Sequence, residues 1–220
     1  MREAFDRRVV PEDALALVRA CQRRVPAHLA GGAALSGAYL AHRLSGDLDL
    51  FCHRAEDVRV LVRELPEIAN ESGVPIEMVR DAGTFVRARI RLAGRDLELD
   101  LVHEAVPDVE PPPAPIDGVI VESFADLRGA KLTCILSRSE PRDLVDLLYL
   151  DRAGFPPERD MVLALRKDGG IDPGVLAWLL GQFPVKPLPM MLEPLTEAEL
   201  IAFRDELRER FRKLSVPEGD

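Results

Sequence analysis

The stretch that decides the fold is residues 31–51, which read GGAALSGAYLAHRLSGDLDLF. Two glycines open it, an apolar helix-like run follows, and acidic and apolar residues alternate at its end. The alternation predicts a strand on which Asp47 and Asp49 leave the same face, roughly 6.6 to 6.8 Å apart along the strand. Two carboxylates in an apolar setting repel each other and are costly to bury without a positive partner. The stretch therefore predicts a site that binds a cation.

The composition favours an ordinary globular protein. The chain has 220 residues, of which 47% are hydrophobic and 30% charged, and its length favours one domain or two small ones. A formal net charge of −9 argues against a protein that coats DNA nonspecifically. No apolar run approaches the ~18 residues of a membrane span, and the first residues do not resemble a signal peptide. We therefore expect no membrane association and a cytoplasmic location.

Few residue types point to other chemistry. The three cysteines are widely spaced and form no CxxC pair, which argues against a disulfide framework and a zinc site. The histidines His28, His53 and His103 show no metal spacing and are predicted to be surface or packed residues. Trp178 is predicted to be a packing residue.

Periodicity predicts the layout of the chain. Two alternating runs, 84–92 and 95–102, are joined by Ala93 and Gly94 and predict a β-hairpin. A helix over 56–73 is expected to break or end near Pro66, and 119–123 are expected to form a short strand. The pattern is helical from Ser123 onward. We therefore predict an α/β (α+β) fold, with an α/β domain over 1–122 and a helical C-terminal domain over 123–220.

The predicted hairpin adds a third carboxylate. If it lies beside the Asp47–Asp49 strand, Asp100 reaches the same point, and three carboxylates suit Mg²⁺ or Mn²⁺ in phosphoryl or nucleotidyl transfer. Gly31 and Gly32, ahead of a helix, offer bare backbone N–H groups to a phosphate. Both features have a plainer alternative. The aspartates could form a solvated acidic strand face, and the two glycines could form an ordinary helix-capping turn. The hairpin's arginines at 87, 89 and 91 form a basic stripe that either binds an RNA backbone or faces solvent.

In this order, the Gly-Gly turn, helix and Asp-x-Asp strand resemble the minimal nucleotidyltransferase pattern of the DNA polymerase β superfamily. They resemble more closely the AbiEii/AbiGii-type nucleotidyltransferases, toxins of type IV toxin–antitoxin systems. The sequence departs from that pattern at Ala33, where Thr or Ser is usual, and in a spacer that is one residue longer. A second family signature, a Lys-bearing helix followed by an RDxxDL helix, is matched by LRGAKLTCILSRSEPRDLVDLLYL at 127–150.

The resemblance implies a fold, a reaction and a set of site residues. The fold is a mixed sheet flanked by helices, with Lys131 contributed to the cleft by the helical region. The reaction moves an NMP from an NTP to an acceptor, either an RNA such as a tRNA end or a protein, and a cognate antitoxin is implied as partner. The implied roles are as follows: metal binding by Asp47, Asp49 and Asp100; proton abstraction by Asp100; triphosphate contacts by Gly31, Gly32, Ser36 or Ser45, Arg43, Lys131 and Arg142; and positioning of Lys131 or nucleotide contact by Asp146.

Three alternatives stay open. The chain could be a nonenzymatic nucleotide-binding or partner-binding descendant of the fold, a metal-dependent nuclease using the same carboxylates, or a small-molecule nucleotidyltransferase. For Arg43, a structural pairing with the aspartates competes with a phosphate contact. For Lys131, the middle of an apolar helix is a costly position unless the amine meets a triphosphate or a carboxylate.

Overall fold

The computed structural model describes residues 3–92 and 94–216, so Ala93 of the predicted hairpin turn lies outside the described residues. The chain divides into two compact units, Met1–Ser123 and Phe124–Asp220. Within the described ranges, no helix has both the length and the apolar character needed to cross a membrane.

The first unit is built on a five-stranded mixed sheet. Its strands are β1 (His28–Ala30), β2 (Asp47–Cys52), β3 (Ile76–Asp81), β4 (Phe85–Leu92) and β5 (Arg95–His103). Their spatial order is β1-β2-β5-β4-β3. The β2–β5 pair is parallel and the other neighbouring pairs are antiparallel. The α/β fold with a mixed sheet is therefore confirmed, and β2, β4 and β5 occupy the runs whose alternation predicted them.

Three helical segments accompany the sheet: α1 (Glu12–Gln22), α2 (Gly31–Ala34), which continues into a π-helical segment (Leu35–Leu40), and α3 (Ala55–Ser72). The expected break near Pro66 is wrong, because α3 runs through it. Proline removes one backbone donor, but Leu61, Leu65 and Ile68 of this helix are buried, and their burial offsets that loss. The expected strand at 119–123 is also wrong, because the segment makes only two isolated bridges, a parallel one from Val121 to Leu29 and an antiparallel one from Val119 to Ile116.

The arginine stripe on β4 is compensated by acidic neighbours. The pairs are Arg87 with Glu98 and Asp100, Arg89 with Glu77, and Arg91 with Asp96. Since every arginine of the stripe already has a carboxylate partner, the structure favours the solvent-facing alternative over an RNA-binding stripe.

Strand β3 forms one edge of the sheet and is largely exposed. Its pairing with β4 shifts register between Met78 and Arg80, which marks a β-bulge or an irregularity. Asp81 at its end receives two hydrogen bonds from Arg59 of α3, at 2.7 and 2.8 Å. The edge is therefore short, irregular and charged.

The second unit is helical, as its sequence pattern predicts. It contains α4 (Phe124–Ser137), α5 (Pro141–Arg152), α6 (Met161–Lys167), α7 (Pro173–Leu180) and α8 (Glu197–Leu214), with a 3₁₀ turn at Pro157–Asp160. Helix α8 opens with a complete capping box between Thr196 and Glu199. The packing prediction for Trp178 is wrong, because 68% of this residue is exposed.

Candidate active site

Strand β2 presents its two aspartates on one face. Leu48, Leu50 and Cys52 alternate with Asp47, Asp49 and Phe51, and the apolar set is buried while the other set is half-buried. Burial of the leucines fixes the register of the strand, because a shift by one residue would bury the aspartates instead. The sequence pattern thus directs both carboxylates to the same open side.

Strand β5 brings the third carboxylate beside the other two. In the parallel β2–β5 pair, Asp49 is the register partner of Asp100 and Asp47 is the partner of Glu98. Side chains of register partners leave the same face of a sheet. The structure therefore places Asp47, Asp49 and Asp100 together, with Asp100 the most deeply buried of the three.

The two glycines lie directly against this group. Gly31 has a φ of +61°, and a Cβ built on it would lie 2.0 Å from Oδ2 of Asp49. A Cβ built on Gly32 would lie 2.8 Å from Nη2 of Arg43 and 2.9 Å from Oγ of Ser45. A side chain at residue 31 would collide with Asp49, and one at residue 32 would displace Arg43 and Ser45, so the glycines let bare backbone approach the acidic strand.

The loop that enters β2 is held by buried serines. Ser36 Oγ donates to the carbonyl of Arg43 at 2.5 Å and accepts from the amide of Arg43 at 3.2 Å. Ser45 Oγ donates to Oδ1 of Asp47 at 2.8 Å. The guanidinium of Arg43 is buried and donates to the carbonyl of Leu44 at 2.9 Å. The predicted residues Ser36, Arg43 and Ser45 therefore form one hydrogen-bonded corner beside Gly32 and Asp47.

Arg87 of β4 clamps the third carboxylate. Its Nε donates to Oδ1 of Asp100 at 2.8 Å and its Nη2 donates to Oδ2 at 2.7 Å, while Nη1 lies 2.9 Å from Glu98. The hydrogen bond to Asp100, aided by the charges of Asp100, Glu98 and Asp47, raises the pKa of Arg87 above its ordinary value. Arg87 thus stays cationic and orients Asp100.

Sequence reasoning missed the role of Arg87, although a signal for it was present. A hairpin whose two runs are separated by two residues, as the sequence predicts, pairs Leu92 with Arg95, and the structure has this register. Counting back from that pair places Arg87 opposite Asp100. The hairpin prediction therefore already contained this contact.

The donor chemistry of the three aspartates fits a hard divalent cation. All of their ligand atoms are carboxylate oxygens, which Mg²⁺ and Mn²⁺ prefer, and the space beside Asp49 is one that any Cβ at residue 31 would fill. By distance, a different group stands out. Within residues 3–92 and 94–216, the three residues whose candidate ligand atoms all lie within 4.8 Å of one another are His28, His53 and Asp108.

The predicted residues of the second unit form a buried charge cluster between α4 and α5. Lys131 Nζ lies 2.8 Å from Oδ2 of Asp146 and 3.3 Å from Oδ1 of Asp143. Arg138 donates to both oxygens of Asp143, at 2.7 and 2.8 Å, and this hydrogen bonding raises the pKa of Arg138. Two cations and two anions thus compensate one another, as burial of charge requires.

Two further details concern this cluster. Lys131 and Asp146, the pair that the resemblance links, are in contact in the structure. Arg142, also predicted from the second signature, directly precedes Asp143 in the chain and forms an ion pair with Glu140 at 2.5 Å. Asp143, which belongs to the same RDxxDL signature, is a second carboxylate in contact with the amine of Lys131.

Comparison with known families decides the identity of the fold. The model of the family described as nucleotidyl transferase AbiEii toxin, type IV TA system, matches residues 16–218, a range that includes both signature stretches. The chain belongs to the AbiEii nucleotidyltransferase toxin family. The resemblance drawn from the sequence is therefore confirmed, and with it the nucleotidyltransferase class of enzyme.

Solved structures share the fold of this AbiEii-family protein. A Helicobacter pylori structure described as a nucleotidyltransferase is 22% identical, with a TM-score of 0.63 over 92% of this chain and 93% of that one. JHP933 from Helicobacter pylori is also 22% identical, with a TM-score of 0.61 over 93% and 91%. MenT4, a nucleotidyltransferase toxin of Mycobacterium tuberculosis, is 14% identical, with a TM-score of 0.53 over 92% and 85%. No curated protein sequence gives a significant match.

Proposed function

We propose that this AbiEii-family protein is a metal-dependent, toxin-like nucleotidyltransferase that moves an NMP from an NTP to an acceptor hydroxyl. The observation that carries the proposal is the placement of Asp49 beside Asp100 on neighbouring parallel strands, with Asp47 two residues away and Gly31 in close contact. Asp47, Asp49 and Asp100 would hold Mg²⁺ or Mn²⁺. When bound, the ion would neutralise and orient the phosphate oxygens of the nucleotide.

The corner around Gly32 is proposed to receive the phosphates. Gly31 and Gly32 expose backbone N–H groups beside the acidic strand, and the Arg43 guanidinium adds positive charge close to Gly32. Ser36 Oγ forms hydrogen bonds with both the carbonyl and the amide of Arg43, so we assign it to positioning Arg43. Ser45, which donates to Asp47, is the better candidate for a hydroxyl near the phosphates.

Asp100 is the proposed general base. The acceptor oxygen would bond to the α-phosphorus, the bond from that phosphorus to the bridging oxygen would break, and pyrophosphate would leave. The acceptor proton would pass to Asp100, whose oxygens each keep a lone pair beyond the one that Arg87 occupies. Arg87 is a positioning residue in this scheme.

Lys131 is proposed to donate to the departing phosphates. Support comes from its place in the family's second signature and from Asp143 and Asp146, which hold its amine in a fixed position. The plainer alternative is that this cluster only stabilises the helical unit. Arg142 keeps its assignment as a nucleotide contact on the family pattern alone.

The proposed partners follow from the family. An RNA, such as a tRNA end, is the first candidate acceptor, a protein hydroxyl is the second, and a cognate antitoxin is the expected protein partner. The three cysteines are free thiols, which suits the reducing cytoplasm that we propose as the compartment.

The test is transfer of label from each α-labelled NTP onto total bacterial RNA and total bacterial protein. We expect metal-dependent labelling that is lost in Asp47→Asn and Asp49→Asn, which change a carboxylate to an amide at half-buried positions. Asp96→Asn is the matched control, because Asp96 lies on the same strand as Asp100 but forms its ion pair with Arg91, and both of those side chains are exposed.

Each result assigns the activity differently. Label that persists in both aspartate variants would contradict the site, and shortened RNA without added NTP would indicate a nuclease. For Lys131, Lys131→Ala is compared with Asp146→Asn, and urea denaturation reports folding. Loss of labelling in Lys131→Ala with retained folding supports the phosphate role, whereas parallel loss of folding and labelling in both variants supports the structural alternative.

A further inference from the structure

Two histidines and an aspartate meet near the carboxyl end of β2, away from the aspartates of the candidate active site. His28 opens β1 and is the antiparallel partner of Phe51, and His53 follows the last residue of β2. Asp108 belongs to the Pro-rich segment after β5. Their candidate ligand atoms lie within 4.8 Å of one another, and the two imidazole centroids are 5.3 Å apart. From Asp49 to His53 the chain advances by roughly 13 Å.

The hydrogen bonding of His53 is that of a metal ligand. Its Nδ1 lies 3.1 Å from the carbonyl of Glu104, and its Nε2 lies 3.0 Å from Oδ1 of Asp108. A neutral imidazole has only one N–H. In the tautomer whose Nδ1 donates to the carbonyl, Nε2 presents a lone pair toward Asp108, which is the arrangement that a shared cation needs. Metal-ligating histidines commonly donate their other N–H to a backbone carbonyl in this way.

We propose that His28, His53 and Asp108 bind Zn²⁺ or a similar divalent transition metal, at a site separate from the Mg²⁺ site of the candidate active centre. Two imidazoles and one carboxylate match zinc chemistry, and three protein ligands leave one position for water. Magnesium, which takes oxygen ligands, would not compete strongly. This site does not depend on the proposed nucleotide transfer.

The distances are close to those that coordination needs. Ligand atoms about 2.0 to 2.2 Å from a tetrahedral zinc lie roughly 3.3 to 3.6 Å apart. The His53–Asp108 pair is already at 3.0 Å, and the remaining separations need side-chain adjustments of about 1 Å. His28 is buried, whereas His53 is 40% exposed and Asp108 24% exposed, so an ion reaches the group from solvent.

The site would fasten a long irregular segment to the sheet. The chain between the end of β5 and residue 119 holds five prolines and no strand or helix in the described structure. Its first residue, Glu104, is attached through an amide hydrogen bond to the carbonyl of Cys52, at 2.9 Å. A metal shared by Asp108, His53 and His28 would strengthen the attachment that the His53–Asp108 contact makes four residues later. We assign it a structural role in the first unit.

The experiment titrates the full chain, without an affinity tag, with Zn²⁺ alone in a calorimeter and with Co²⁺ alone by visible absorption. We expect one equivalent of Zn²⁺ to bind in excess Mg²⁺ and Co²⁺ to give the absorption bands of a low-symmetry nitrogen–oxygen site. His53→Ala and Asp108→Asn, at partly exposed positions, should each weaken binding by at least tenfold, because losing even an outer-shell partner costs 10–100-fold.

Two control variants locate the ion. His103→Ala removes a histidine outside the group, and Asp49→Asn alters the candidate active site, so neither should change Zn²⁺ binding. Far-ultraviolet circular dichroism checks the folding of every variant, and urea denaturation should show that Zn²⁺ stabilises the wild type but not His53→Ala. Equal Zn²⁺ affinity in the wild type and in folded His53→Ala and Asp108→Asn would overturn the proposal. Loss of the ion in Asp49→Asn, or no Zn²⁺ binding by the wild type, would also overturn it.

Discussion

Gly31→Ala is the substitution that tests most directly whether Asp49 must stay where the structure places it. An added Cβ at residue 31 would lie 2.0 Å from Oδ2, 2.9 Å from Cγ and 3.3 Å from Cβ of Asp49. Because the whole side chain is close, a rotation of the carboxylate alone does not relieve the contact. The oxygen has to retreat from 2.0 Å to the 3.4 Å of ordinary contact, a movement of about 1.4 Å.

The expected effects on stability and on activity differ. The positive φ of residue 31 costs an alanine about 1 to 2 kcal/mol in the free energy of unfolding. A misplacement of about 1 Å at a reacting group costs about 100-fold in rate. We therefore expect Gly31→Ala to remain folded and to lose at least ~100-fold in nucleotide transfer.

Gly73→Ala is the matched control. Gly73 has a φ of +70°, and a Cβ built there meets no atom within 4 Å. Both variants pay the backbone cost, which urea denaturation measures, but only Gly31→Ala displaces Asp49. The assay is the labelling reaction, with Mn²⁺ binding followed by electron paramagnetic resonance. Transfer and Mn²⁺ affinity in Gly31→Ala within about threefold of those in Gly73→Ala would refute the reasoning.

Two further predictions concern charge and thiols. Arg87→Met should lower the free energy of unfolding by about 1 to 3 kcal/mol, because Asp100 loses its buried partner while part of Arg87 is exposed. Millimolar Mg²⁺ should raise the free energy of unfolding more in this variant than in the wild type or in Arg89→Met. An equal increase in all three would contradict the proposal that Asp100 contacts both Arg87 and the metal. Burial raises the pKa of Cys21 and Cys52 to about 12, so roughly one thiol in 10⁴ is ionised near pH 8. Ellman's reagent should therefore react with them far more slowly in the native protein than in denaturant, and fast native reaction would contradict their burial.

The sequence predicted correctly those elements in which the residues that are buried follow the spacing of the apolar residues. Strand β2 and the hairpin show strict alternation, and each buries its apolar set as expected. The capping box of α8 could be predicted because it depends only on contacts within four consecutive residues, Thr196 to Glu199. The aspartates of β2 and β5 could be placed together because the two runs were assumed to be neighbours, and the sheet has them so.

What the sequence could not supply depends on contacts between distant residues. The helix continues through Pro66 because one of its faces is buried against the rest of the unit. The helix-breaking tendency of proline alone does not predict this. The burial of Ser36 depends on the π-helical segment and the loop after it, which no spacing rule predicts. The group of His28, His53 and Asp108 arises from the β1–β2 register and from a connector 55 residues beyond His53, so sequence spacing excluded it.

The two borders of the sheet have a consequence for self-association. Strand β1 has three residues, and the segment that follows the Pro-rich connector hydrogen-bonds to Leu29 through Ile120 and Glu122. Strand β3, at the opposite border, is interrupted by its register shift and carries Glu77, Arg80 and Asp81. Edge-to-edge pairing of sheets from two molecules needs a long, flat and uncharged edge strand. Neither described border of this sheet provides one, so pairing between the sheets of two copies is disfavoured.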